Sequence, residues 1–86
     1  MPAVPPVTST ATAAMEIDWH SVAWREGALV FEAVVGRERQ LFRVMTRALF
    51  PRERCARETL RFNLGALAAR LDRAGAEGGD HVRMIG

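Results

Sequence analysis

Residues 28–45 read ALVFEAVVGRERQLFRVM, and the fold is decided by how this stretch is read. Leu29, Phe31, Ala33 and Val35 recur at every second position, with Glu32 between them. Alternate side chains of a strand point to opposite faces, so the pattern predicts one apolar face and one partly wet face. From Gln40 to Thr46 the alternation returns, with Phe42 and Val44 inward and Arg43 outward. Between the two runs, Gly36-Arg37-Glu38-Arg39 is polar and of hairpin length. Two antiparallel strands are therefore predicted at the centre of the chain.

Toward the N-terminus, Trp24-Arg25-Glu26-Gly27 reads as a turn, with Gly27 free to adopt positive φ. Before it, Ile17, Trp19 and Ser21 alternate with Asp18 and His20, which predicts a third strand. That phase turns Trp19 inward and leaves Trp24, beside the turn, nearer to solvent. Residues 1–14, MPAVPPVTSTATAA, hold three prolines and no charged side chain, a composition that does not offset ordering entropy. The expected organisation is a disordered leader over 1–14 and a single small α+β domain over 15–86. Met15 opens the first patterned segment and is a candidate alternative translation start.

Toward the C-terminus the period changes. Thr46 is a candidate cap for a helical turn, Arg47 to Phe50, ended by Pro51. From Ala56 to Ala74, Leu60, Leu64, Leu67 and Leu71 fall at i, i+4, i+7 and i+11 and share one helical face. Gly65 interrupts this helix at a cost of up to about 1 kcal/mol relative to alanine, which suggests close packing at that point. Gly75, followed by Gly78-Gly79, stops it. His81 to Ile85 reads as a short final strand or as a tail. The fold class is thus α+β: an antiparallel three- or four-stranded sheet packed by one long C-terminal helix.

Set out in this order, the chain resembles the small bacterial proteins grouped as domain of unknown function 1488. The resemblance rests on Ile17-Asp18-Trp19 in the opening strand and Val30-Phe31-Glu32-Ala33 running to Gly36. It continues through Val44-Met45-Thr46 with Arg47-Ala48-Leu49, and through Leu60, Asn63 and Leu67 in the long helix. The chain departs from the family pattern at Val35, where members carry an acidic residue before the hairpin glycine. The resemblance implies the same fold and brings no assigned activity, and the role suggested for its members is in transcriptional regulation.

Composition narrows the classes further. Of 86 residues 49% are hydrophobic, but many of these are alanine, so the core is thin and a protein partner or a homodimer is expected to add to its stability. Cys55 is the single cysteine, which excludes an intramolecular disulfide and fits a reducing, cytoplasmic setting. No run approaches the length of about 18 apolar residues that would suggest a membrane span. All 12 basic residues are arginine, and the formal net charge is only +2. Eight of those arginines lie between Arg37 and Arg61, opposed there by Glu38, Glu53 and Glu58.

That basic block supplies the candidate site. Arg54, Arg57 and Arg61 fall at i, i+3 and i+7, one helical face if the helix begins early enough. Phe62 lies off the leucine face, where an exposed ring beside Arg61 suits stacking or a partner's groove. The alternative is a solvated face with Glu53–Arg57 and Glu58–Arg61 pairs, each worth a few tenths of a kcal/mol. His20, Cys55, Asp80 and His81 are too scattered for metal-ligand spacing, and neither a metal nor a cofactor is expected. Catalysis through Cys55, activated by the neighbouring arginines with His20 or His81 as base, ranks third. The leading expectation is a non-catalytic interaction or regulatory module. A nucleic-acid-binding accessory protein that uses the arginines of 37–61 is the alternative.

Overall fold

The computed structural model describes residues 15–77 and 81–86, so the leader over 1–14 lies outside the described residues. Strands β1 (Met15–Arg25), β2 (Ala28–Val35) and β3 (Glu38–Met45) form an antiparallel meander. A 3-10 turn over Thr46–Ala48 leads through a loop to helix α1 (Ala56–Gly75), and β4 (Arg83–Ile85) completes the sheet. Strand order is β1-β2-β3-β4, and the architecture is α+β with one long helix across one face. Among the described residues no helix is long and apolar enough to cross a membrane.

Both hairpin turns are two residues long. Arg25 pairs with Ala28 across Glu26 and Gly27, whose φ angles of 52° and 77° are the two positive values that a type I′ turn requires. Val35 pairs with Glu38 across Gly36-Arg37, with Gly36 at φ 65°. The alternation holds in β3, where Gln40, Phe42 and Val44 are buried, whereas β2 buries Ala28 and Val30 as well as Leu29, Phe31 and Ala33. Phe31 pairs with Phe42 in register, and their rings stack with centroids 5.2 Å apart and planes 6° from parallel. Leu60, Leu67 and Leu71 of α1 close over them, fully buried, while Leu64 is only half-buried.

Three local expectations are revised. The fourth strand runs parallel to β3, with Phe42 opposite Arg83 and Val44 opposite Ile85, so the sheet is mixed. Parallel neighbours need a crossover connection, and the return through α1 supplies it. Thr46 is the first residue of its 3-10 turn and caps nothing; Met45 precedes the turn in extended conformation. Trp19 and Trp24 are both half-buried against the core, because β1 does not keep a single phase along its length.

Candidate interaction groove

The site begins with an irregularity in β1. Asp18 pairs with Glu32 and Ala23 with Val30, so the segment from Trp19 to Val22 stands opposite Phe31 alone. Side chains replace the interrupted ladder. The Ser21 hydroxyl donates to the Asp18 carbonyl at 2.6 Å and accepts from the Glu32 amide at 2.8 Å, while the His20 amide donates to Asp18 Oδ1 at 3.2 Å. The bulge shifts the phase, so that Ile17 before it, Trp19 and Val22 within it and Trp24 after it all pack toward the core. Two long-range bonds then tie this strand to the loop before α1 and to the first turn of the helix. The Trp24 indole donates to the Arg54 carbonyl at 2.9 Å, and Arg57 Nε donates to the Trp19 carbonyl at 3.1 Å.

Because β1 is an edge strand, the seam between it and α1 is open along one side. Met15, Ile17 and Trp19 form one wall, and Leu64, Gly65, Ala68 and Leu71 form the other, around about 410 Å³. Trp19 also belongs to the adjoining cleft of about 530 Å³, lined by Cys55, Arg57, Glu58 and Arg61. The result is one groove with an apolar stretch and a basic end. Asp72 lies further along the same flank of α1. Its Oδ1 is buried without a hydrogen-bond partner among the described residues, and burial pushes its carboxyl above the usual range.

The structure keeps part of the arginine constellation. Arg57 and Arg61 share the basic cleft. Arg54 does not join them as a helical neighbour, since α1 starts at Ala56 and Arg54 sits in the preceding loop with its carbonyl held by Trp24. Phe62 is 54% exposed, and the Arg61 guanidinium carbon lies 5.7 Å from its ring centroid. Among the described residues neither Glu53–Arg57 nor Glu58–Arg61 forms an ion pair. The carboxylates of Asp18 and Glu32 instead converge on Arg39, at 3.2 and 2.7 Å on the outer face of the sheet. Those two partners, Glu32 first, hold the Arg39 guanidinium above its ordinary value.

Cys55 is exposed at the N-cap of α1 and lines the basic cleft, but neither histidine does so. His20 is exposed on β1, and His81 contacts Glu77 at 3.3 Å. Asp80 of the scattered candidate ligands lies outside the described residues, and among those described no three His, Cys, Asp or Glu side chains gather to hold a metal ion.

Several polar residues have structural roles that the reading of the sequence did not assign. Thr59 and Asn63 are buried beside the leucines and anchor the loop that precedes α1. The Asn63 carboxamide accepts from the Phe50 amide and donates to the Pro51 and Thr59 carbonyls, each at 2.8 Å. The Thr59 hydroxyl accepts from the Glu53 amide at 2.7 Å. Their signal was a four-residue spacing next to the leucine stripe. Gln40 and Arg83 are also buried, at the far side of the sheet, where Arg83 donates to the His81 carbonyl at 2.6 Å. Nothing in a three-residue strand announces such a buried arginine. No family model, curated protein or solved structure matches the chain.

Proposed function

We propose that this chain is a cytoplasmic, non-catalytic interaction or regulatory module whose docking surface is the groove between β1 and α1. The observation that carries the reading is the groove's make-up: an open strand edge, an apolar wall of Met15, Ile17 and Trp19, and a basic end of Arg57 and Arg61. An unpaired edge with an apolar trough beside it suits a protein partner, which gains affinity from buried apolar area and register from charge. The resemblance to the domain of unknown function 1488 proteins belongs to the same proposal and favours a regulatory role. Capture of interacting protein by tagged full-length chain tests it, with wild type compared against Gly65→Gln, which fills the trough. Retention by wild type and loss by the variant is the expected result. Identical capture by both would place the interaction elsewhere.

One observation favours a second reading, the nucleic-acid-binding accessory protein: Arg61 lies over the exposed ring of Phe62, an arrangement suited to a stacked base. On that reading, replacing Arg54, Arg57 and Arg61 with glutamine flattens the salt dependence of binding by nearly one log–log unit per lost phosphate contact. Absence of salt-sensitive retention of the wild type on duplex or single strands removes the reading.

A further inference from the structure

We infer that the occupant of the groove is the same groove on a second copy of this chain, related by a two-fold axis. This rests on the interaction-module reading and names the partner. The first indication is Gly65. A glycine inside a helix is unfavourable, and close packing within the domain would explain it, yet a Cβ built at Gly65 meets nothing within 4 Å. By contrast, a Cβ at Gly75 would meet Val35 at 3.3 Å. The gap beside Gly65 faces outward, where only another molecule approaches it.

The second indication is the order of residues along that flank. Arg61, Gly65, Ala68 and Asp72 fall at i, i+4, i+7 and i+11, the spacing of a helix–helix seam. Small residues occupy its middle and opposite charges its ends. When α1 packs antiparallel against its copy with Gly65 against Ala68, Arg61 of each protomer meets Asp72 of the other, twice by symmetry. An isologous contact requires this self-complementarity.

The third indication is that β1 shares the axis. Trp19 lies at the Arg57–Arg61 end of the helix and Met15 at the Gly75 end, so Ile17 falls midway, level with Gly65 and Ala68. The axis that pairs the helices therefore brings Ile17 against its own copy and Met15 against Trp19 of the second protomer. These are the apolar residues left half-buried along the edge. Asp18, on the other face of the strand, is already held by Arg39.

Sedimentation equilibrium of the full chain tests the inference. Wild type is expected to dimerise. Gly65→Gln is expected to weaken association about tenfold or more while raising the melting temperature of the protomer, because only the dimer lacks room for the added side chain. Arg61→Asp alone and Asp72→Arg alone are each expected to be monomeric, and mixing the two variants is expected to restore a dimer, since each then supplies the charge that the other lacks. That rescue is a readout a folding defect does not produce. A monomeric wild type overturns the inference, and so does a dimer that survives Gly65→Gln and both charge reversals. If the monomer still captures a different protein through the groove, the interaction-module reading stands without the second copy. If it captures nothing, both fail.

Discussion

The two flanks of α1 are finished in opposite ways. On the flank toward the preceding loop, Thr59 and Asn63 are buried, and their side chains bond the backbone at Phe50, Pro51 and Glu53. On the flank toward β1, small residues leave a trough, and the carboxylate of Asp72 has a buried oxygen without a partner. Buried polar groups in folded chains are ordinarily hydrogen-bonded, so the first flank is complete within one protomer and the second is not.

The sharpest break of this contrast comes from the leucines beneath it. Leu67 is 1% exposed, so Leu67→Ala is expected to cost about 2–5 kcal/mol, as truncations in a packed core do. Leu64 faces the trough, where part of its surface is already in water, and Leu64→Ala is expected to cost clearly less. Urea denaturation of the two variants in parallel checks the order. Equal losses would mean that the trough is closed in solution, which is the outcome a stable dimer produces, so the comparison is made in the Gly65→Gln background.

A smaller effect is expected on the finished flank. Asn63→Ala removes one acceptor and two donors at once and leaves the Phe50 amide and the Pro51 carbonyl without their partner. Each buried group left unsatisfied costs about 1–3 kcal/mol, with the lower end expected here because the loop is next to solvent. Thermal denaturation gives the loss, and amide exchange at Phe50 gives its place. Exchange unchanged at Phe50 with full stability retained would show that the loop holds itself.

What was legible in the sequence follows the same division. Strands β2 and β3 were readable because both bury one face, so every second residue carries the signal, and Phe31 and Phe42 meet where the alternation places them. The leucine stripe was readable for the equivalent reason at helical period. Strand β1 was readable as a strand but not in its later phase, since the bulge is set by Ser21 and Asp18 bonding the backbone and not by apolar spacing. The direction of β4 was hidden because the return path of α1 determines it, and three residues have no period. The groove was visible only as separate pieces. Arg57, Arg61 and Phe62 were picked out as surface features, but the apolar wall that makes two of them part of a trough comes from β1, some forty positions earlier in the chain.

The smallest expected effect concerns the unfinished flank directly. Burial raises the Asp72 carboxyl above its ordinary value of 3.8, so the folded protomer binds its proton more tightly than the unfolded chain does. A carboxyl raised in the folded state contributes stability that is present below 3.8 and is lost as pH rises through its higher folded value. The window therefore runs upward from 3.8 to the raised folded value, and the effect has the opposite sign to that of a salt-bridged aspartate. In the Gly65→Gln variant, carbon-detected NMR titration is expected to place Asp72 above 3.8, and replacement by asparagine is expected to remove that part of the pH dependence. On the two-fold proposal, the guanidinium of Arg61 from the second copy stands beside the carboxylate and is expected to pull its titration back down. The same residue thus reports both states. A higher value for Asp72 in the variant than in the wild type locates the missing partner at this position, and equal values in the two proteins would show that no cation arrives there.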